Sequence, residues 1–329
     1  GGHSLLAVKL LSYFNNTYEQ RCEFRDLYEA PQVSQLAMKI DSPRSKYSPI
    51  VQLYRKNQGN SEKERTIICF PPIGGLPLPF AQPQVLSEWG RYGSVTGLQI
   101  SGYGHGEKPF KHYQEMLSCF EQGIEKAING KMVFIGWSIG AKIAHDVATY
   151  MQNKGIKIDC LVVIDSYATD EYLNKNTNNN VKFDSMNLED VIDNYIIEIE
   201  GDLVYGELKK YNKEQKLVRL TQDLESLGMI PSGVFQISPG FAEKFIRYSL
   251  LQANYMIERP IPGYFDGDVL IVRAKATSRL SQTLTLGWER YCKNVETVDI
   301  NSDHFTLLAG NAAEVTAKTI GKWIKNHIS

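Results

Sequence analysis

The amino-acid sequence predicts an α/β protein in which a mostly parallel sheet carries helices on both faces. Short apolar runs typical of buried strands alternate with longer segments of helical periodicity, and this alternation indicates parallel strands joined by helices. It stops between residues 169 and 262, where helical patterns continue almost without a strand signal, and then resumes. We therefore expect one sheet interrupted by a helical insertion of the kind that forms lids.

Runs rich in β-branched and aromatic residues predict the strands, and longer amphipathic segments predict the main helices. The predicted strands are residues 50–54, 66–70, 94–100, 132–135, 160–164, 269–273 and 295–300. The predicted helices of the same region are residues 112–128, 138–153 and 312–325. Helices at these places fit the crossover connections that parallel strands require.

The N-terminal part of the chain predicts a small all-α unit. Apolar residues recur there at helical spacing, and two further short helices are expected on either side of Pro31. A polar stretch with prolines follows and is typical of a linker. We therefore predict a helical unit of residues 1–41, a linker of residues 42–48, and an α/β domain of residues 49–329 that contains the insertion.

Composition excludes several classes of function. The chain has 329 residues, of which 43% are hydrophobic and 22% charged, as in ordinary globular proteins. The formal net charge of −1 provides no basic field for nucleic acid. No apolar run reaches the length of a membrane span, and the first residues lack a secretory signal. We expect no nucleic acid and no membrane among the partners, and no metal, because the six histidines are scattered.

The cysteines indicate a reducing compartment. Their number, five, is odd, and no pair has the Cys-x-x-Cys spacing. Cys69 and Cys160 lie inside apolar, strand-like runs, which is typical of buried free thiols. The sequence therefore predicts a cytoplasmic protein.

Residues 102–106 read Gly-Tyr-Gly-His-Gly after a predicted strand, which invites comparison with a dinucleotide-binding loop. The third glycine of Gly-x-Gly-x-x-Gly is absent, no helix begins at the required place, and Pro109 interrupts the segment. We interpret it as a glycine-rich connection.

Residues 136–140 read Gly-Trp-Ser-Ile-Gly, directly after an apolar run and directly before a helical pattern. At such a strand–turn–helix junction this pattern is typical of the nucleophile elbow of α/β-hydrolases, where the serine is exposed on a sharp turn. The flanking glycines are needed because the junction leaves no room for Cβ atoms. The alternative is a turn whose serine merely caps the helix. The context favours Ser138 as the nucleophile.

A serine nucleophile needs a base, and three histidines follow Ser138 along the chain. His145 lies within the helix that Ser138 opens and is expected to be structural, whereas His327 lies among the last residues and is expected to be solvated. His304 follows the last predicted strand, where α/β-hydrolases place their base. We therefore predict His304 as the base.

Two strand ends compete to supply the acid that orients the histidine. The loop of residues 274–278 contains no carboxylate, whereas Asp165 directly follows the strand of residues 160–164. Asp303 is the neighbour of His304 and cannot easily orient its ring, so it is interpreted as a loop residue. The sequence predicts Asp165 as the acid, with a turn-capping aspartate as the alternative.

An acyl-transfer site also needs donors for the oxyanion, and these come from the residue after the nucleophile and from an early strand–helix loop. Residues 70–75 read Phe-Pro-Pro-Ile-Gly-Gly. Because proline has no N–H, Ile73 is the first available donor of this loop. We predict an oxyanion hole formed by the backbone N–H groups of Ile73 and Ile139.

Four segments, taken in order, resemble the C-terminal thioesterase domain of nonribosomal peptide synthetases. They read Phe-Pro-Pro-Ile-Gly-Gly, Gly-Trp-Ser-Ile-Gly, Val-Val-Ile-Asp-Ser and Ser-Asp-His-Phe. That family is similar in placing its acid one strand earlier than most α/β-hydrolases. The resemblance covers about residues 48–329 and implies an α/β-hydrolase fold with a lid. Ala141 departs from it, because relatives often carry another glycine there.

The N-terminal Gly-Gly-His-Ser resembles the attachment motif of peptidyl carrier domains. The resemblance implies that Ser4 carries a covalent 4′-phosphopantetheine arm at a helix N-terminus, where a phosphate is favoured. The first helix of such a carrier is missing, so residues 1–41 are interpreted as a partial carrier domain within a fragment of a longer synthetase. The implied partners are the upstream synthetase modules and their carrier-bound peptidyl substrate.

The resemblance implies that the chain releases a finished peptidyl or acyl chain from a carrier thioester through an acyl-enzyme, by hydrolysis or macrocyclisation. Two alternatives are an editing hydrolase that clears misloaded carriers and a catalytically silent carrier and docking module. Aromatic residues of the insertion either line an acyl pocket or form the core of the insertion. They include Tyr195, Tyr205, Phe241, Tyr248 and Tyr255.

Overall fold

The computed structural model describes most of the α/β region and parts of the N-terminal and inserted segments. The described residues are 22–30, 32–41, 47–56, 65–104, 106–128, 130–169, 205–227, 229–230, 239–278 and 283–327, with the single residues 10, 13, 14, 17, 189, 192, 193 and 196. The predicted attachment residue Ser4, Tyr195, the side chain of Tyr205 and residues 42–46 of the predicted linker lie outside them.

The strands of the described residues form one mostly parallel sheet, as predicted. They are β1 (Ile50–Tyr54), β2 (Arg65–Phe70), β3 (Ser94–Leu98), β4 (Lys131–Trp137), β5 (Cys160–Ile164), β6 (Phe265–Ala274) and β7 (Cys292–Ile300). Their order across the sheet is β1–β3–β2–β4–β5–β6–β7. β1 runs antiparallel to β3, and every other neighbouring pair is parallel.

Helices lie before the sheet, between its strands and after it. They are α1 (Phe24–Glu29), α2 (Val33–Asp41), α3 (Pro83–Trp89), α4 (Tyr113–Ala127), α5 (Ile139–Asn153), α6 (Tyr205–Leu208), α7 (Lys213–Ser226), α8 (Pro239–Glu258), α9 (Lys275–Ser278) and α10 (Gly310–His327). The segment between β5 and β6 shows α6, α7 and α8 and no strand among its described residues, which agrees with the predicted helical insertion.

Two apolar layers cover the two faces of the sheet. Successive strand residues point to opposite faces, so Phe134 of β4 belongs to one layer while Val133 and Ile135 belong to the other. The first layer contains the inner faces of α4 and α5, and the second contains those of α3 and α10. The central strands β4 and β5 are therefore buried on both faces, and their carboxyl ends emerge at one edge of the core.

The insertion has an apolar core of its own, and α8 joins that core to the sheet. Phe245 and Ile246 near the start of α8 pack with Leu220 and Leu224 of α7. Tyr255, one turn before the end of α8, belongs instead to the layer over α4 and α5. α8 is therefore shared between the insertion and the α/β core.

The N-terminal helices rest against the α/β region. The buried guanidinium of Arg25 in α1 lies 5.6 Å from the centre of the Tyr47 ring and 3.6 Å from the Glu107 carboxylate. Glu107 belongs to the glycine-rich connection that follows β3. The predicted division of the chain into residues 1–41, 42–48 and 49–329 remains a prediction.

Candidate active site

Ser138 lies on a strained turn between the end of β4 and the start of α5. Its φ and ψ angles are 56° and −128°, a conformation that residues with a Cβ atom rarely adopt and that costs about 1–3 kcal/mol. Its side chain makes no capping hydrogen bond to α5, which disfavours the interpretation as a capping serine. The backbone holds the strain in place, because Ser138 N–H donates to the Ile164 carbonyl at 2.9 Å.

The two glycines of the elbow are required by close packing. A Cβ atom at Gly136 would lie 2.3 Å from the Ala141 Cα atom. A Cβ atom at Gly140 would lie 2.3 Å from the carbonyl oxygen of Phe70, at the end of β2. The short side chain of Ala141 is fully buried at this contact. The strand–turn–helix junction predicted from the sequence therefore closes as tightly as a nucleophile elbow needs.

Asp165 follows β5 directly and is placed to orient a histidine. It is 3% exposed and has a φ angle of 45°. One carboxylate oxygen, Oδ1, accepts a hydrogen bond from Ala274 N–H at 2.9 Å. The other, Oδ2, lies 2.9 Å from the Nδ1 atom of His304. Ala274 is the last residue of β6. The end of β6 therefore supplies no carboxylate of its own, but its backbone fixes Asp165, which follows β5.

His304 lies in the turn between β7 and α10, and Asp303 shapes that turn. Asp303 Oδ1 accepts hydrogen bonds from the backbone N–H groups of Phe305 and Thr306 at 2.9 and 3.0 Å. Its Oδ2 atom accepts from the Thr306 hydroxyl at 2.8 Å. Asp303 therefore supports the loop that presents the histidine ring, a contribution that the sequence analysis missed. The sequence signal for this role is an aspartate in a short turn, because such a carboxylate often accepts a hydrogen bond from the backbone N–H two residues later.

Ser138 and His304 line one small pocket of about 60 Å³. Its other lining residues are Pro72, Ile73, Trp137, Ile139, Met229 and Phe305. Among the described residues, neither the Ser138 hydroxyl nor the His304 Nε2 atom makes a hydrogen bond. The two side chains therefore share the pocket without being bonded to each other, as is common where catalytic contacts tighten when substrate binds.

The loop of residues 71–75, which we call the oxyanion loop, borders this pocket. Gly75 N–H donates to the Pro72 carbonyl at 3.0 Å, which closes a four-residue turn. Gly74 has a φ angle of 92°, which the third position of a type II turn requires. Ile73 lines the pocket from this loop, and Ile139 lines it from the first turn of α5. The two predicted oxyanion donors thus belong to residues that line the same pocket as Ser138.

His145 and His327 lie away from this pocket. The His327 ring stacks on Trp323 and its side chain is 24% exposed, so it is less solvated than predicted. His145 is fully buried, with Nε2 3.2 Å from the Tyr291 carbonyl oxygen and its ring 5.0 Å from the Trp288 ring centre. His327 lies in the last turn of α10, with Nε2 2.8 Å from a Glu296 carboxylate oxygen. Neither lines the pocket beside Ser138.

A buried ion pair fixes both ends of the insertion. The Arg259 guanidinium donates to both oxygens of Asp146 in α5, at 2.7 and 2.8 Å, and to the Ala168 carbonyl at 2.8 Å. The Tyr113 hydroxyl donates to the same carboxylate at 2.5 Å. Burial alone would raise the pKa of Asp146, but the hydrogen bonds from Arg259, His145 and Tyr113 hold that pKa below its usual value.

The aromatic residues of α8 whose side chains are described serve packing. Tyr255 is buried and its hydroxyl donates to the Phe110 carbonyl. Phe241 and Tyr248 pack against Tyr103. None of these three lines the pocket beside Ser138, which favours the interpretation that they stabilise the insertion and its junction.

These features define an α/β-hydrolase fold with a Ser–His–Asp arrangement at the carboxyl ends of its strands. A model of the thioesterase domain family matches residues 65–324. The chain belongs to the thioesterase domain family, a family of serine-hydrolase-type enzymes.

Curated relatives are large synthetases of which the chain matches a small part. The dimodular nonribosomal peptide synthase of Bacillus subtilis (strain 168) is 30% identical over 168 residues, which cover 51% of this chain and 7% of that protein. The indigoidine synthase of Streptomyces lavendulae is 28% identical over 166 residues, which cover 50% of this chain and 12% of that protein.

Solved structures share the fold at low identity. A four-domain nonribosomal peptide synthetase, holo-AB3403 bound to AMP and glycine, gives a TM-score of 0.61 at 20% identity, covering 99% of this chain and 24% of that chain. The Vlm2 thioesterase domain bound with a dodecadepsipeptide gives 0.57 at 20% identity, covering 85% of this chain and 97% of that chain. These likenesses support the fold, and with the sequence relatives they place the chain close to thioesterase domains of nonribosomal peptide synthetases.

The described residues contain neither a metal-ligand cluster nor a membrane-spanning helix. No group of three or more His, Cys, Asp or Glu side chains in this part of the chain could hold a metal ion. Within the same residues, no helix is both long and apolar enough to cross a bilayer.

Proposed function

We propose that the chain releases an acyl or peptidyl chain from a carrier-bound thioester through an acyl-enzyme on Ser138. The observation that supports this most strongly is the arrangement of Ser138, His304 and Asp165. The serine on its strained turn shares a pocket with the histidine, whose far side contacts the buried carboxylate. Membership of the thioesterase family supplies the class of substrate.

In the acylation step, Ser138 Oγ attacks the thioester carbonyl carbon while His304 Nε2 takes the hydroxyl proton. Asp165 holds Nδ1–H, which fixes the tautomer and stabilises the imidazolium. The tetrahedral oxyanion accepts hydrogen bonds from the N–H groups of Ile73 and Ile139. When the intermediate collapses, the C–S bond breaks and His304 returns the proton to the departing thiolate. The products are the acyl ester on Ser138 and a free thiol.

In the release step, His304 takes a proton from an incoming nucleophile as that nucleophile attacks the ester carbonyl. Collapse breaks the C–Oγ bond, and His304 returns the proton to Ser138. Water as the nucleophile gives a free acid, whereas a hydroxyl or amine of the acyl chain itself gives a ring. The choice depends on how well the covered site excludes water.

The thiol arm belongs to the substrate. By likeness to the synthetase relatives, we propose that it is 4′-phosphopantetheine on a carrier domain and that upstream synthetase modules deliver the chain. Ser4 as its attachment point lies outside the described residues and remains a prediction. We place the protein in the cytoplasm, which agrees with five free cysteines in the structure.

Removal of the nucleophile tests the proposal. Ser138→Ala should lower turnover of an acyl-pantetheine thioester by at least about 10⁴-fold, by analogy with other serine triads. A fluorophosphonate should label the wild type on Ser138, as read by peptide mass spectrometry. Ser226→Ala, which removes an exposed hydroxyl at the end of α7, is the matched control and should behave as the wild type. Labelling of another residue, or unchanged turnover in Ser138→Ala, contradicts the assignment.

The substrate preference separates release from editing. Rates are compared for a peptidyl-pantetheine thioester and for an acetyl-pantetheine thioester. A release enzyme should favour the peptidyl substrate, whereas preference for acetyl would indicate an editing hydrolase. Turnover of neither, with no labelling of Ser138, would support a catalytically silent module.

A further inference from the structure

The turn that presents Ile73 is held at its carbonyl groups. Because a trans peptide points its C=O and N–H in opposite directions, the bond from Gly75 N–H to the Pro72 carbonyl directs the Ile73 N–H away from the inside of the turn. No described residue accepts a hydrogen bond from that N–H group. The direction of the Ile73 N–H therefore depends on how firmly the turn of residues 72–75 is fixed.

Two residues at the end of β3 and beyond it fix this turn. Ile100 N–H donates to the Gly75 carbonyl at 3.0 Å. The hydroxyl of Tyr103 donates to the Gly74 carbonyl at 2.5 Å. Tyr103 stands in the glycine-rich connection of residues 102–106, the motif for which the sequence analysis found no function.

The connection that carries Tyr103 is itself held from two sides. Glu107 Oε2 accepts the N–H groups of Gly102 and Gly104, both at 3.0 Å. From α8, the Tyr248 hydroxyl donates to the Gly102 carbonyl at 2.7 Å. The Tyr248 ring packs edge-on against the Tyr103 ring with centres 4.8 Å apart.

α8 also touches the turn directly. A Cβ atom at Gly74 would lie 2.1 Å from the Phe245 ring, so the Gly74 backbone lies between Phe245 on one side and the Tyr103 hydroxyl on the other. The position of α8 and the position of the oxyanion loop are thus linked directly through Phe245 and indirectly through Tyr103.

We propose that Tyr103 is a positioning residue for the oxyanion hole: its hydroxyl fixes the oxyanion loop against α8, so that the Ile73 N–H meets the developing oxyanion. The proposal rests on the proposed function, in which Ile73 is an oxyanion donor. Loss of the hydroxyl leaves the ring packing in place but frees the Gly74 carbonyl. The donor then has to be ordered during the reaction, which lowers the rate without lowering the affinity for substrate.

Tyr103→Phe and Tyr248→Phe form a matched pair, because each loses one hydroxyl that bonds a glycine carbonyl and only the first bonds the oxyanion loop. We expect Tyr103→Phe to lower kcat about 10- to 100-fold with KM changed less than about threefold. Its inhibition constant for a peptidyl trifluoromethyl ketone, which forms an oxyanion on the serine, should rise by the same factor. Tyr248→Phe should stay within about threefold of the wild type in all three quantities, because Glu107 still holds the connection through the N–H groups of Gly102 and Gly104.

Equal effects of the two variants, or a Tyr103→Phe enzyme with wild-type kcat and inhibition constant, would overturn the proposal. If the wild type itself turns over no thioester, the proposed function fails first. Amide exchange at Gly75 then still tests the structural part, since the Tyr103→Phe change should speed it about tenfold or more while Tyr248→Phe should not. Unchanged exchange there would refute the inference independently of catalysis.

Discussion

Two aspartate–histidine pairs among the described residues consist of the same side chains but differ in their surrounding contacts. Asp165 and His304 are joined at 2.9 Å, and the histidine side chain is 29% exposed. Asp146 and His145 approach at 3.4 Å, and that histidine is fully buried. The second pair lies in α5, the helix that Ser138 opens, so distance along the chain would have favoured it.

The two pairs differ in the partners of the carboxylate oxygens and histidine nitrogens that do not join the aspartate to the histidine. The Asp165 carboxylate meets a backbone N–H and the histidine, and His304 Nε2 has no partner among the described residues. The Asp146 carboxylate is neutralised by Arg259, and His145 Nε2 lies against a carbonyl. The proposed catalytic pair therefore keeps one histidine nitrogen available at a pocket, whereas both nitrogens of His145 in the other pair lie against acceptors.

The largest difference should follow removal of each histidine. His304→Gln should lower thioester turnover by roughly 10⁴- to 10⁶-fold with little change in the free energy of unfolding, because the base is lost and the partly exposed site tolerates an amide. His145→Gln should instead lower the urea midpoint while the folded fraction stays active. Turnover and urea unfolding are measured on both variants. If His145→Gln were as inactive per folded molecule as His304→Gln, the distinction between a catalytic and a structural histidine would be wrong.

The next effect concerns Asp165, the carboxylate proposed to orient His304. Asp165→Asn should lower kcat by about 10⁴-fold, since the amide favours the wrong tautomer of His304. The fold should persist, because the amide oxygen still accepts the Ala274 N–H. Circular dichroism checks that the fold is preserved, and single-turnover kinetics measure the loss of rate. Near-normal kcat would mean that another group orients the histidine.

The matched change in the structural pair should act on stability. Asp146→Asn leaves the buried Arg259 guanidinium without its counter-charge, which should cost about 3–5 kcal/mol of unfolding free energy. Turnover per folded molecule should remain within about threefold of the wild type, because Asp146 does not line the pocket. Loss of kcat at full stability would place Asp146 in the catalytic machinery and contradict this assignment.

The smallest expected effect is a pH dependence of the free energy of unfolding that arises from Asp146 of the buried pair. The folded-state pKa of Asp146 lies below its usual value of 3.8, so the carboxylate stabilises the fold above that pH. This contribution is lost as the pH falls through the folded-state pKa. Urea unfolding between about pH 2 and 5 should therefore show a steeper acid decline for the wild type than for Asp146→Asn. Parallel curves would show that this pKa is not lowered in solution.

Strongly periodic elements of the fold could be predicted from the sequence, and irregular ones could not. β5 matches its predicted bounds, and α1 and α2 fall on either side of Pro31. α3 was missed because Pro79 and Pro83 look like loop residues, yet Pro83 stands in the first turn of a helix, where its missing N–H costs nothing. β7 was predicted too short, because its edge position lets charged residues such as Lys293 face solvent.

The positions of the three site residues were predicted from the ends of the strands. Ser138, Asp165 and His304 each follow a strand, and parallel strands bring their carboxyl ends together, so order along the chain was enough to propose their meeting. Their catalytic roles remain predictions. The link from Tyr103 to Gly74 and the pair of Asp146 with Arg259 join residues far apart in sequence, and no sequence pattern indicates that the two ends meet. Such contacts depend on how α8 packs, which periodicity does not specify.

The contact between Arg259 and the Ala168 carbonyl brings the two chain ends of the insertion to one point, 2.8 Å apart at the bonded atoms. A segment that leaves and re-enters a domain at one point is a modular insertion. It can be exchanged for another of different length without stretching the strands on either side. If Ala168, Arg259 and the Asp146 carboxylate of α5 are retained together with the α8 residues that contact the oxyanion loop, we expect substrate selectivity to be transferable between related enzymes while the proposed chemistry stays in place.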